Sequence, residues 1–228
     1  MMRSSHTLNC DMGWEEAYEN SQVDMLWDHE AAKFLKQKAR ELKDMNVTRI
    51  LDAGCGDARN MIYYLKEGYN VVGVDVSPTA LNRAFRNISV AGQQRFCLVR
   101  SDLKRVASIF PAGIFDAIIC WDTLGQLEKS RRVLTGFKKL LRNSGYFIVN
   151  VPNIVDSTFG EGRPAGHNEF IYKDTLFKFY TEDDFRKLLT GFELIEFLRL
   201  QWQDPHHGDF RPYPHRHDCW VAFARKAW

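Results

Sequence analysis

No apolar run in this chain approaches the length of a membrane-crossing helix, which excludes a helical spanning protein. The opening residues Met1–Cys10 are polar and lack the apolar centre of a secretory signal, so a cytoplasmic setting is expected. Cysteine is scarce and odd in number: Cys10, Cys55, Cys97, Cys120 and Cys219, with no C-x-x-C pair. That pattern disfavours a disulfide framework and a zinc site, and reduced, buried thiols are expected instead. Net charge is almost absent, with 31 Lys and Arg against 29 Asp and Glu. No global field therefore recruits nucleic acid or a membrane surface, and neither is expected as a partner. Internal repeats and low-complexity tracts are lacking as well.

What is present is ordinary globular material, 45% apolar and 26% charged over 228 residues. That length supports one well-buried domain and is short for two. A single domain over residues 1–228 is expected, in four parts: a helical cap at 1–45, a core at 46–152, a lid at 153–180, and a helix with a hairpin at 181–228. Apolar positions Trp14, Tyr18, Met25, Trp27, Phe34, Leu35 and Leu42 make 11–44 read as helical. Strands at 48–53, 70–75, 95–99, 114–121 and 144–151 then alternate with helices at 58–67, 78–88 and 127–141 and a short turn or helix near 103–109. This rhythm predicts a parallel sheet covered by helices on both faces. Two final strands, Phe192–Trp202 and Asp218–Arg225, have no helix between them and must pair antiparallel.

The most informative stretch is Ile50-Leu51-Asp52-Ala53-Gly54-Cys55-Gly56-Asp57-Ala58-Arg59-Asn60. An apolar strand runs into a glycine turn that opens a helix, and Asp75 ends the next strand twenty-one residues after Gly54. Gly54 and Gly56 allow close backbone approach to a ligand, and an acid at Asp75 suits ribose hydroxyls. A dinucleotide site wants a third glycine where this chain has Arg59. Asp52 and Asp57 flank the turn with negative charge that repels a diphosphate and tolerates a cation. Those features favour S-adenosylmethionine over NAD. The antiparallel final hairpin also disfavours a dinucleotide dehydrogenase, whose sheet is wound in two parallel halves.

The chain resembles the class I S-adenosylmethionine-dependent methyltransferases. The resemblance rests on Leu51-Asp52-Ala53-Gly54-Cys55-Gly56, Gly73-Val74-Asp75-Val76-Ser77, Ser101-Asp102-Leu103, Phe115–Cys120 and the turn Leu140–Tyr146, and spans about residues 48–152. It implies a Rossmann-like, doubly wound α/β fold with a seven-stranded sheet, mostly parallel with an antiparallel last strand. It also implies cofactor contacts from Asp52, Gly54, Cys55, Gly56, Arg59, Asp75, Val76, Ser101, Asp102, Leu103 and Trp121. Tyr18 and Trp27 would close the pocket from the N-terminal helices, or serve as packing aromatics. Arg59 would meet the cofactor carboxylate or pair with an acid, and Asp102 would meet adenine or cap a turn. One departure is Ala58, where many members carry glycine; alanine should still permit close packing.

Methyl transfer needs alignment and dryness more than dedicated catalytic groups, so an acceptor is hard to read from sequence. The fourth strand ends Cys120-Trp121-Asp122-Thr123 and lacks the Asn/Asp-Pro-Pro-aromatic signature of enzymes that methylate nucleic-acid amines. Acceptor contacts are expected from 152–180 and 203–217, which hold His167, His206, His207, His215 and His217, five of the seven histidines. Tyr172, Arg163, Asp209, Arg211 and Tyr213 accompany them, with Phe159, Phe170, Phe177, Phe179 and Tyr180 as an apolar wall. His207, His215, Tyr172 and His167 are the candidate catalytic residues. His215 and His217, two apart on an extended chain, share a side and so raise metal ligation; contact with substrate is preferred to it, and no metal ligand set is assigned. The expected function is S-adenosylmethionine-dependent methylation of a small molecule by a monomer or homodimer. A protein or RNA methyltransferase and a non-catalytic cofactor-binding module are the alternatives.

Overall fold

The computed structural model describes residues 11–21, 25–26, 30–207 and 210–227. Helix α1 (Asp11–Asn20) and α2 (Lys33–Asp44) precede the first strand. The core then runs β1 (Arg49–Ala53), α3 (Arg59–Lys66), β2 (Asn70–Asp75), α4 (Pro78–Val90), β3 (Phe96–Arg100), β4 (Phe115–Cys120), α5 (Ser130–Leu140) and β5 (Leu141–Pro152). After it come β6 (Arg163–Gly166), β7 (Glu169–Tyr172), β8 (Thr175–Lys178), α6 (Glu182–Leu188), β9 (Phe192–Asp204) and β10 (His215–Lys226).

Seven strands form one sheet in the order β3-β2-β1-β4-β5-β10-β9. The first five pair in parallel, whereas β10 is antiparallel to both β5 and β9. The central strands are the most apolar, as a sheet covered on both faces requires: all six residues of β4 are buried. One face packs Phe137 of α5 and Phe185 of α6 against Phe147 and Val149. The other packs Leu35 and Leu42 of α2, Met61 and Tyr64 of α3, and Ile88 of α4 against Ile50, Ile119 and Phe223. Helix α4 starts where the sequence marks it, with Ser77 accepting from the Ala80 amide at 2.9 Å and Pro78 in the first turn.

Four expectations are corrected. Residues 11–44 are not continuously helical, since α1 ends at Asn20 and α2 begins at Lys33. The supposed lid is not an irregular connection: β6, β7 and β8 form a three-stranded antiparallel sheet. Its β7–β8 hairpin turns through Lys173 and Asp174, both at positive φ (47° and 54°), a type I′ geometry that the residue types alone do not announce. The final hairpin is longer than its apolar pattern, because His215 pairs with Asp204 and His217 with Trp202. Cross-strand pairing there overrides the loop-like composition. Finally, Cys97 is exposed while Cys55, Cys120 and Cys219 are buried, because β3 is the edge of the sheet.

Asp116 staples the start of the core. It accepts from the Thr48 amide (2.9 Å), the Thr48 hydroxyl (2.9 Å) and the Arg49 amide (2.8 Å), and it pairs with Arg142 at 2.9 Å. Burial opposes its charge, but these donors outweigh it and hold the carboxyl below the usual range. Its stabilisation is therefore complete above the ordinary aspartate range and lost as pH falls through the depressed value. Asp116→Ala should lower unfolding free energy by about 2–4 kcal/mol at neutral pH, because several partners lose a charged acceptor together. Urea unfolding checks this, and the difference from wild type should shrink as acidification below the ordinary aspartate range protonates Asp116.

Candidate functional site

The carboxyl ends of the parallel strands open into one cavity, at the point where chain order reverses between β1 and β4. The β1–α3 turn forms its floor. Gly54 and Gly56 have φ of +81° and +52°; a Cβ on the first would collide with the Thr123 side chain and on the second with the Tyr18 hydroxyl. Both glycines are thus required for space as well as for backbone conformation. Ala58 also takes a left-handed φ of +76° while fully buried. Its departure from glycine is a matter of backbone strain rather than of packing.

Asp75 stands beside this turn and accepts from the Gly56 amide at 2.9 Å and the Ser77 amide at 3.0 Å. Burial raises its carboxyl above the ordinary range, and the Ser77, Gly56 and Val76 amides oppose that rise. Val76, Ser101, Asp102 and Leu103 continue the same wall. Asp102 both lines the cavity and caps the turn at Leu103–Ser108, accepting from the Lys104 amide at 2.8 Å. The capping and lining readings of Asp102 therefore coexist. Arg59 lines the cavity and pairs with Asp122 at 3.1 Å. Asp122 sits at a positive φ of 52° and exchanges two hydrogen bonds of 2.6 Å with Asn150. This chain of groups ties the ends of β1, β4 and β5 together.

Helix α1 roofs the cavity with Trp14 and Tyr18. It is held there by Glu15, which accepts from the Ser77 hydroxyl (2.5 Å) and the Thr79 hydroxyl (2.6 Å) at the start of α4. Arg83 of α4 donates to the carbonyls of Tyr18 and Ser21. Opposite the nucleotide wall lie Phe177, Phe179, Phe210, Arg211, Asp204 and His217. Behind them Phe159, Phe170 and Phe179 pack edge to face, with centroids 5.2–5.9 Å apart.

A histidine–aspartate cluster closes this far end. His217 Nδ1 lies 3.1 Å from Asp156 Oδ2 and its Nε2 lies 3.3 Å from Asp204 Oδ2. His215 Nε2 lies 3.0 Å from His217 Nε2, and His207 Nε2 lies 3.3 Å from Asp204 Oδ2. Burial opposes the charge on His217, but Asp156 and Asp204 outweigh it and raise its pKa to about 9. Burial, the neighbouring His217 charge and Arg211 push His215 down to about 4. Asp156 is itself fixed by the Thr158 and Asp218 amides at 2.9 and 2.8 Å. Asp218, wholly buried, is held down to about 2, chiefly by the Arg199 guanidinium.

Most expected cofactor residues line the cavity: Tyr18, Gly54, Cys55, Gly56, Arg59, Asp75, Val76, Ser101, Asp102, Leu103 and Trp121. Asp52 does not. It lies behind the turn, 2% exposed, with Oδ2 buried and without a hydrogen-bond partner. Trp27 and Asp209 fall outside the described residues. Among the expected catalytic residues, His207 and His215 join the cluster, but His167 is exposed at the β6–β7 turn and apart from the cavity. A hairpin turn projects its side chain outward, which the lid reading did not foresee. Tyr172 stands behind the wall, donating to the Phe210 carbonyl at 3.1 Å and stacking under Arg211. Asp156, Asp204 and Trp14 were missed as site residues; the Asp156-Ser157-Thr158 turn was the one local signal for the first.

The nucleotide half fits the cofactor that the sequence implies. Glycines at 54 and 56 keep the backbone open to a ligand, and Asp75 keeps acceptor capacity beyond its two amide bonds. A wall of carboxylates suits a cationic ligand without phosphate. Burial first, with the Asp75 charge second, pushes the Asp52 carboxyl up to about 7. An unfolded aspartate loses its proton near about pH 4, so the native state binds the extra proton between the two values and stability falls as pH rises through that window. Asp52→Asn should remove this slope. Melting temperature against pH checks it, with parallel curves for variant and wild type counting against a protonated Asp52.

A family model described as a methyltransferase domain matches residues 21–196. A glycine/sarcosine N-methyltransferase from Aphanothece halophytica is 29% identical over 141 residues, 60% of this chain and 52% of the relative. The chain spans about a third to a half of the first curated relatives it matches. Among solved structures, one titled for conversion of a disulfide bond into a thioacetal group during echinomycin biosynthesis superposes with TM-score 0.73 at 17% identity, covering 96% of this chain and 92% of that one. The Burkholderia thailandensis 1,6-didemethyltoxoflavin-N1-methyltransferase, solved with 1,6-didemethyltoxoflavin and S-adenosylhomocysteine, superposes with TM-score 0.66 at 18% identity, covering 100% of this chain and 92% of that one.

Proposed function

Because the chain belongs to the methyltransferase-domain family, we propose that it transfers the methyl group of S-adenosylmethionine to a small-molecule acceptor. The observation that carries this reading is a single cavity with two chemically different ends. At one end Asp75, Asp102 and the glycine turn meet; at the other stand aromatic rings, Arg211, Asp204 and His217. When bound, S-adenosylmethionine supplies a methyl group on a positive sulfur, an electrophile that needs no further activation. The carboxylate of Asp75 would accept hydrogen bonds from ribose hydroxyls, and Asp102 with Leu103 would hold the adenine. Arg59, already paired with Asp122, stands where it can exchange that partner for the carboxylate of the methionine moiety.

The remaining work is positioning and exclusion of water. Trp14, Tyr18 and the β6–β8 sheet close the cavity over the reacting centre. Trp14 and Phe177 lie 6.3 Å apart edge to face, and Trp14 and Phe210 lie 5.2 Å apart, which joins the roof to the acceptor wall. The polar groups beyond that wall, His217 and Arg211 above all, suit a small polar acceptor. The likeness to a glycine/sarcosine N-methyltransferase and the toxoflavin-precursor enzyme supports this class. An open basic groove, which a nucleic-acid acceptor would want, is not a feature of this cavity's lining.

Calorimetry with S-adenosylhomocysteine, followed by a screen of small amines, acids and phenols for its release, tests the reading. Asp75→Ala should weaken cofactor binding by about 10–100-fold, the size of a lost charged hydrogen bond. Asp75→Asn, which retains an acceptor, should fall between. Binding that is the same in all three proteins would overturn the assignment. Phe177→Ala should raise the acceptor KM several-fold and leave cofactor affinity within about twofold, as loss of an apolar wall contact predicts. Steady-state kinetics with the acceptor found in the screen reads that split.

A further inference from the structure

The structure assigns a second binding site that the methyl-transfer reading does not require: we propose that Asp204, His207, His215 and His217 bind a divalent transition-metal ion, of the zinc type, at the acceptor end of the cavity. One donor atom from each of Asp204, His207 and His215 lies within 4.8 Å of the others. His217 Nε2 joins them, 3.0 Å from His215 Nε2 and 3.3 Å from Asp204 Oδ2. His207 Nε2 is 3.3 Å from the same carboxylate oxygen. Donors held at about 2.0–2.2 Å from a common zinc ion are necessarily about 3.0–3.5 Å from one another. Three spacings in the cluster, 3.0 Å between His215 and His217 and 3.3 Å from Asp204 to each of His207 and His217, match one coordination shell.

The second observation concerns where the ring protons must be. His215 Nδ1 faces the Tyr213 carbonyl at 3.3 Å, and His217 Nδ1 faces the Asp156 carboxylate at 3.1 Å. Both partners can only accept, so both Nδ1 atoms carry hydrogen. The two Nε2 atoms then face each other, and that of His217 also faces the Asp204 carboxylate, so that His215 Nε2 and the carboxylate stand as acceptors. A single extra proton on His217 Nε2 satisfies one of these acceptors. A divalent cation satisfies all four donors together. Carboxylate or carbonyl partners on the outer nitrogens are also what orients histidine ligands in metal sites. Imidazole nitrogens with one carboxylate favour zinc, iron, cobalt or nickel over magnesium, which prefers oxygen.

The hairpin builds this site from both of its strands. Asp204 ends β9, and His215 and His217 share one face of β10, paired opposite Asp204 and Trp202. His207 is brought back by reciprocal backbone bonds with Arg211, at 2.7 and 3.2 Å. His207 and His215 are almost fully buried, whereas Asp204 and His217 line the cavity. On the methyltransferase reading, an ion here would face the acceptor and lower the pKa of a coordinated hydroxyl or amine. Metal binding itself does not rest on that reading.

The test is titration of chelator-treated protein with Co²⁺ and then Zn²⁺, without S-adenosylmethionine. The proposal expects one Co²⁺ per chain with visible ligand-field absorption, bleached by stoichiometric Zn²⁺. His207→Ala and His215→Ala should each weaken Zn²⁺ binding at least about 100-fold, and Asp156→Asn, a positioning change, about 10-fold. His206→Ala, an exposed neighbour, should bind like wild type. S-adenosylhomocysteine affinity measured on the same variants establishes that they fold and tests the cofactor assignment separately. Absence of stoichiometric Co²⁺ binding by wild type, or wild-type Zn²⁺ affinity in folded His207→Ala and His215→Ala, would overturn the metal site and leave a pair of histidines sharing a proton.

Discussion

The parallel pairing of β1 with β2 on one side and β4 on the other is the constraint from which the site hangs. Chain order reverses across β1 and β4, so the segments leaving them diverge to opposite faces and leave a crevice at their carboxyl ends. The part of the cavity lined by the parallel strands and their turns is placed by that reversal. The β1–α3 turn supplies the glycines, β2 supplies Asp75, and β4 ends in the left-handed Asp122 that links to Asn150 of β5. Asp116 locks the far end of β1, β4 and β5 through Thr48, Arg49 and Arg142. The frame is thus tied at both ends by carboxylates.

Three later additions turn a crevice into an enclosed chamber. Helix α1 is pinned across it by Glu15, which accepts from Ser77 and Thr79 at the start of α4, and by Arg83 of α4, which donates to the Tyr18 carbonyl. The β6–β8 sheet supplies aromatic rings on the opposite side, braced by the Phe159–Phe170–Phe179 cluster. The β9–β10 hairpin brings the charged groups, and Asp218, bound by Arg199, Gln201 and Asn153, joins the hairpin to the loop after β5.

The fold was legible because its signals are local. Ile50–Ala53 and Phe115–Cys120 are short apolar runs between turn residues, Ser77-Pro78 marks a helix start, and Gly54-Cys55-Gly56 marks a tight turn. Most residues of one wall of the cavity followed from those positions alone. What was not legible depended on pairing between distant segments. The β6–β8 sheet turns through Lys173 and Asp174 at positive φ, where asparagine and glycine are the usual signs. His167 stood out by type and proved to sit on an outward-facing turn, while Asp156 and Asp204 carried no type-specific signal.

By itself the sequence determined a doubly wound sheet, a glycine turn followed by a ribose-type acid, and a reversed final strand. Those features depend on backbone conformation and on periodic burial over a few residues, which composition and spacing encode directly. Only the tertiary structure decided which acids and histidines meet. Asp156, Asp204, His207, His215 and His217 converge because the extended hairpin register sets Asp204 opposite His215 and the loop after β5 folds back onto β10. Convergence within a few ångströms of residues up to 61 positions apart is fixed by strand register, and a shift of one residue would turn those side chains to the other face.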